Sequence, residues 1–342
     1  MGGGEPTAGG EPTAGGEPTS EETAPAHAPA EPSSDDEVSI AFVGDVMLGR
    51  SVGERILAGE DPFEGVANEL QEADLVVGTL ETTVGGAVGV PEDKVYTFRA
   101  PPESIDSLLS AGFDLVALAN NHSYDYGADG LGQTIELLDR GGVEHVGAGD
   151  DAEAARAPVV LRQGGVETAF LAYVSVPDDW TGYRNRDWAA TDTTPGVAWA
   201  NADDIAADVA AVRPQVDHVM VLLHAGAEGS RQPNSVQRQA ADAALDAGAT
   251  AVIGAHPHVL QGFRHEDGRL TAWSLGNFVF DGFDDPDTTR SVILTLHLDP
   301  EGITDVAWTP VRVVDDFPVA LDPGSDDGRS VLRHLEALPP QR

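Results

Sequence analysis

Five apolar, strand-like runs of this chain each end on a side chain that can bind a metal or move a proton. VSIAFVG leads to Asp45, DLVVGTL to Glu81, DLVALAN to Asn121 and His122, DHVMVLL to His224, and TAVIGA to His256, Pro257 and His258. In an open α/β sheet, ligands bind beyond the carboxyl ends of the strands, so endings scattered over more than 200 residues can converge on one pocket. Carboxylates, an amide oxygen and imidazoles are the donors of Mn, Fe or Zn sites, and the chain has no cysteine to supply thiolates.

Each ending carries its own argument. Gly44 permits close backbone approach while the Asp45 carboxylate reaches a cation. Glu81 follows LVVGTL directly, beside a buried segment where an unpaired carboxylate is costly, so a metal or an arginine is needed to satisfy it. Adjacent side chains in a turn point in different directions: Asn121 offers a neutral carbonyl oxygen to a metal while His122 reaches a substrate, with Asp125 placed to orient its ring. His224 has Glu228 four residues on, as a partner or an outer support. His256 and His258, separated by one proline after a buried strand, form a stiff clamp and are the most specific single item. Asn277 lines the pocket from the opposite side or closes a Gly-Asn turn. Arg50 pairs with Asp45 or holds an anion. His145, His218, His265 and His297 lack such company and read as surface or structural residues.

The elements that must position these groups alternate as in an α/β domain. The pattern predicts strands over 38–44, 74–80, 114–119, 143–147, 168–174, 217–223, 250–254, 270–275, 291–298 and 304–310. Helices are predicted over 52–58, 62–72, 103–111, 128–141, 203–212 and 235–247, with terminating glycines at Gly141-Gly142 and Gly248. Between them, 177–200 lacks periodicity and carries Trp180, Tyr183, Trp188 and Trp199, which suits a lid or substrate wall, or aromatics packed over a flank.

Residues 1–37 are different in kind. GGEPT repeats, Ala, Pro, Glu and Ser fill them, with no aromatic residue, no Leu, Ile or Val and no Lys or Arg, so they cannot bury enough apolar surface to offset ordering and read as a disordered linker. The linker holds nine acidic residues; the remaining chain has 49 acidic and 19 basic, −30 of the total −39. Such a field excludes nucleic acid as a partner, because phosphate binding relies on basic side chains. No run of 18 apolar residues is present, which predicts a soluble chain, and a Gly/Pro/Glu/Thr spacer suits a protein tethered to a membrane through its N-terminus.

The order Gly-Asp, Leu-Glu, Asn-His, a lone His and His-x-His resembles the calcineurin-like metallophosphoesterases. Within that superfamily the chain is most similar to the CapA family of capsule and poly-gamma-glutamate synthesis, through GDVMLGR (44–50), TLET (79–82), YTFRAPP (96–102), GFDLVALANNHSYDYG (112–127), HAGAEG (224–229), GAHPHVLQ (254–261) and SLGNFVF (274–280). The resemblance implies an α/β fold, a four-layer αββα sandwich over 38–315, followed by a C-terminal extension over 316–342. It implies that Asp45, Glu81, Asn121, His224, His256 and His258 hold one or two divalent ions and that His122 is the general acid; Arg50, Arg99, Asp125, Glu228 and Asn277 are read from their own positions as binding substrate or supporting the ligands. Met47 stands where ordinary metallophosphoesterases place a histidine, Glu81 replaces their bridging Asp, and Ala225 stands where the capsule family usually has Trp. The implied function is a metal-dependent hydrolase-like role in capsule or cell-envelope polymer biosynthesis, extracytoplasmic, with the polymer or its synthase complex as partner. The alternatives are a non-catalytic metal-containing envelope protein that binds the polymer or supports its synthase, and a cytoplasmic phosphodiesterase.

Overall fold

Val38–Val46 is buried at all nine positions, as a strand must be when both of its faces are covered. In the computed structural model, which describes residues 1–2, 37–179 and 181–338, this strand is central to one of two large sheets. The expectation of a disordered linker therefore falls almost wholly outside the described residues, as does Trp180. Both sheets and the helices that cover them lie within the unit Asp35–Arg342.

The first sheet runs Phe317–Ala320, Gly302–Val314, Arg290–Asp299, Val38–Val46, Leu75–Leu80, Phe113–Ala117 and Glu144–Val146, with Asn277–Val279 added beside the end of Val38–Val46. From Val38–Val46 through Glu144–Val146 the pairings are parallel, and on the other side they are antiparallel. The second sheet runs Phe263–Glu266, Arg269–Ala272, Ala251–Ala255, His218–Ala225, Val166–Ser175 and Val159–Gln163, with a parallel centre.

Period-two alternation makes the layers. On Val166–Ser175, Phe170, Ala172 and Val174 join the core shared with Ile40, Phe42 and Val77 of the first sheet. Ala169, Leu171 and Tyr173 face the other way, against Ile205 and Val209 of helix Ala202–Val212 and Ala241 and Ala244 of helix Ser235–Asp246. Helices Arg50–Leu57, Ser104–Ser110 and Gly127–Gly141 contribute Val52, Ile105, Leu108, Leu131 and Leu138 to the first sheet's core. Helix, sheet, sheet, helix is the four-layer αββα arrangement.

The expected helices hold with one exception. Over 62–72 the chain forms a 3₁₀ turn, Glu64–Val66, and a short helix, Ala67–Gln71; Gly65 disfavours a continuous helix, and a Cβ there would come 2.5 Å from the Pro318 carbonyl oxygen. That contact comes from the stretch set apart as a C-terminal extension. Phe317–Ala320 pairs with Gly302–Val314, and helix Asp326–Ala337, capped by Ser325, buries Val331 and Leu335 in the shared core, so 316–338 is part of the same unit.

Candidate metal centre

The carboxyl ends of strands from both sheets meet at one point. Asp45 pairs in register with Thr79 on one side and Asn277 on the other, and Glu81 follows one residue after Leu75–Leu80. Gly44 is required here: a Cβ would come 1.9 Å from the Gly276 carbonyl oxygen, and the close approach lets Asp45 N–H donate to that oxygen at 3.0 Å. From the second sheet come His224, near the end of His218–Ala225, and His256 and His258 just beyond Ala251–Ala255. The two clamp histidines adopt left-handed backbone, φ 95° and 57°, a conformation that costs about 1–3 kcal/mol each and persists where the surroundings enforce it. Part of that enforcement is visible: His256 N–H donates to Asp45 Oδ2 at 3.0 Å, linking the sheets.

The donor atoms of three trios lie within 4.8 Å of one another: Glu81, His224 and His256; Asp45, Glu81 and His258; and Glu228, His256 and His258. Among the described residues, Asp45 Oδ1, both Glu81 oxygens, His224 Nδ1 and both His256 ring nitrogens are buried without a hydrogen-bond partner. So many orphaned polar atoms in one place would be heavily destabilising in a purely structural cluster, and they fit a divalent ion with oxygen and nitrogen ligands. The electrostatics agree. Burial, then Glu81, holds the Asp45 carboxyl well above its usual range, and burial pushes Glu81 up to about 7. Burial also holds His224 and His256 well below the usual imidazole value, in the neutral form that ligates metals.

Supporting contacts aim the rings. Asn277 Oδ1 accepts from His258 Nδ1 at 2.8 Å, which leaves Nε2 with a lone pair 3.9 Å from Glu81 Oε1. Asn121 Oδ1 lies 2.7 Å from His224 Nε2; a cation held by both would replace this hydrogen bond. Met47, standing where a histidine ligand was looked for, turns into a small apolar cluster with Phe98 and Phe280 and accepts Gly49 N–H at its sulfur.

His122 belongs to a different environment. Its Nδ1 lies 2.7 Å from Asp125 Oδ2, its ring stacks on Phe98 at 4.0 Å, and its backbone N–H is held by Asn120 Oδ1. Since a carboxylate only accepts, Nδ1 carries the proton and Nε2 the lone pair. Burial lowers the His122 pKa to about 4, against the pull of Asp125 in the other direction. The ring therefore meets a substrate neutral, and must take a proton at Nε2 before it can act as the donor expected from the sequence.

A cavity of about 270 Å³ adjoins the cluster, lined by Lys94, Tyr96, Asn121, His122, Glu228 and His256 among others. Glu228 sits there as an exposed residue whose carboxyl is raised by partial burial. Arg50 and Arg99 are not among its lining. Arg50 pairs with Asp281 at 3.3 Å and lies over Phe98, while Arg99 stacks on Tyr126 and donates to Val88 O. The 177–200 segment contributes Pro177, Asp178, Asp179 and Asn185 to the wall, but Trp188 is 2% exposed and packs behind Lys94. Sequence reasoning missed Lys94, Phe98 and Asn120. Asn120 had a readable signal, since it directly precedes two site residues and its Nδ2 donates to Leu80 O beside Glu81.

The profile of the bacterial capsule synthesis protein PGA_cap family matches residues 39–282. The chain belongs to this family. Among PGA_cap relatives, it is 31% identical over 308 residues to the PGA biosynthesis protein CapA of Bacillus subtilis, covering 88% of this chain and 78% of that one. The capsule biosynthesis protein CapA of Bacillus anthracis is 31% identical over 320 residues, 91% and 75% of the two chains. A probable polyglutamine synthesis accessory protein of Mycobacterium tuberculosis is 28% identical over 330 residues, 81% and 85%. The fold is similar to that of a crystallised hypothetical protein from Thermus thermophilus, with a TM-score of 0.51 at 18% identity over 80% of this chain and 98% of that one.

Proposed function

We propose that this PGA_cap protein acts in the biosynthesis of a poly-glutamate capsule or related envelope polymer as a metal-dependent hydrolase, held outside the cytoplasm beside the synthase. The capsule role is supported by the names of the CapA relatives. The hydrolase reading is carried by one observation: a cluster of unpartnered buried carboxylates and imidazoles reaches, through His256, the wall of a cavity that also holds a carboxylate-oriented histidine.

Asp45, Glu81, His224, His256 and His258, with Asn121, would hold one or two ions of the Mn, Fe or Zn type. When bound there, such an ion would supply Lewis-acid polarisation of a scissile phosphoester or acyl oxygen and would lower the pKa of water toward neutrality. The chain's own part is proton movement and exclusion. Asp125 fixes the His122 tautomer so that Nε2 can receive a proton and return it to a leaving oxygen or nitrogen. Asn277 orients His258, and Glu228 and Asn185 bound the space left for substrate.

Charge narrows how an anionic polymer would be held. The described lining contains no arginine, and Lys94 is already paired with Asp125, so attraction for carboxylates or phosphates would come from the ions themselves. A screen of metal-loaded protein against phosphodiester, phosphomonoester and γ-glutamyl amide substrates tests the reading. Turnover that depends on both metal and His122 supports it; metal uptake with no turnover favours the non-catalytic polymer-binding role.

A further inference from the structure

Lys94 is the single lysine of the 342-residue chain; histidines aside, every other basic side chain is arginine. The residue is partly buried, with 7% of its side chain exposed. Its ammonium lies 2.5 Å from Asp125 Oδ1 and donates to the Asn121 carbonyl oxygen at 2.5 Å. Both oxygens belong to the turn that carries His122. The other oxygen of Asp125 holds His122 Nδ1 at 2.7 Å and accepts Phe98 N–H at 2.5 Å. On its remaining side the ammonium lies 4.5 Å from the centroid of the Trp188 ring. Trp188 is itself fixed, donating from Nε1 to Tyr183 Oη at 2.6 Å, while Tyr183 donates to Glu92 at 2.7 Å.

A fully buried carboxylate needs a counter-charge, and an arginine would meet that need alone. The geometry asks for more. One compact centre reaches a carboxylate oxygen and a backbone carbonyl, both at 2.5 Å, while resting on an aromatic face, and the longer, bulkier guanidinium would have to displace these partners to do the same.

We propose that Lys94 is a positioning residue for His122. It locks the Asp125 carboxylate and the Asn121 backbone so that the imidazole keeps Nδ1 toward Asp125 and presents Nε2 to the cavity, with Trp188 as the backstop. The kinetic part rests on the reading of His122 as the proton-transfer group; the structural part does not.

Because Lys94 is unique, labelling lysine with ¹⁵N reports on one ammonium in the unmodified protein. A slowly exchanging Nζ signal at neutral pH is expected; exchange as fast as that of a free lysine overturns the proposal. With ¹⁵N-histidine, Lys94→Met or, should that variant not fold, Lys94→Gln should replace the single His122 tautomer with a mixture. A His122 spectrum identical to wild type would overturn it too. In the kinetic arm, Lys94→Met and Lys94→Arg should each lower kcat by about 10- to 100-fold, a larger change than any in KM. In a His122→Ala background Lys94→Met should cost nothing further, and independent multiplicative losses would contradict the positioning role. Wild-type protein that turns over no substrate defeats the hydrolase reading and leaves the two spectroscopic tests to decide this one.

Discussion

The strand His218–Ala225 carries two buried histidines, each 2% exposed, with opposite fates. His218, at its start, is satisfied on both sides: Nε2 donates to Asp299 O at 2.6 Å and Nδ1 lies 3.2 Å from Thr250 Oγ1. His224, near its end, has an unpartnered Nδ1 3.5 Å from Asp45 Oδ1 and shares its surroundings with Glu81 and His256, which are orphaned as well. Residue type and burial are the same, so neither marks function. What separates the two is whether the neighbours complete the imidazole's hydrogen bonds, and at the carboxyl end of the sheet they do not.

The contrast can be broken from either end. The largest effect expected is on turnover: His122→Ala should reduce it by roughly 100- to 10,000-fold while metal content stays near wild type, the usual worth of a positioned proton-transfer group. Activity assays with elemental analysis check this. Loss of metal instead would place His122 among the ligands.

Next comes metal-linked stability. An ion at 100 times its dissociation constant should stabilise the fold by about 2.7 kcal/mol, seen as a rise in Tm on metal addition. His256→Ala should abolish most of that rise, and His218→Ala should leave it intact. A rise that survives His256→Ala would mean the ion binds elsewhere.

His218→Ala should instead lower stability with or without metal, by about 1–3 kcal/mol, because Thr250 and the Asp299 carbonyl lose their partner. Denaturant titration measures this directly.

The smallest effect expected is its pH dependence. Burial depresses the folded-state pKa of His218 below the ordinary value of about 6.5, so protonation favours the unfolded chain. Its contribution is therefore fully present above about pH 6.5 and is lost as pH falls through the depressed folded value. The stability gap between wild type and His218→Ala should narrow on acidification; a gap that widens would reverse the assignment.

The strand endings were legible because each couples a physical signal to a chemical one, an apolar run stopped by a ligand-type residue, as at LVVGTL before Glu81. The alternation of strands and helices followed from the same runs, and the layer order from the family resemblance. What escaped was set by contacts distant in sequence. Lys94 lies between Pro91 and Thr97 with no periodicity to mark it, and its role depends on Asp125 and Trp188 arriving from elsewhere. The edge strand Phe317–Ala320 contains Pro318 and a half-exposed face, and helix Asp326–Ala337 has a readable start, Ser325 followed by Asp326 and Asp327, with Gly328 weakening its first turn. The helix expected over 62–72 does not run through Gly65, whose bare backbone packs against Pro318, a partner near the other end of the chain. Arg50 and Arg99 carried the right charge for substrate but are committed to Asp281 and Tyr126.

Metal titration of purified, chelator-stripped protein, followed by calorimetry and elemental analysis with His256→Ala as control, bears most directly on the unpartnered cluster. The account predicts uptake of between one and two equivalents of Mn, Fe or Zn by the wild type, the second more weakly because Met47 supplies no ligand, and a clear loss in the variant. No uptake by the wild type would contradict it.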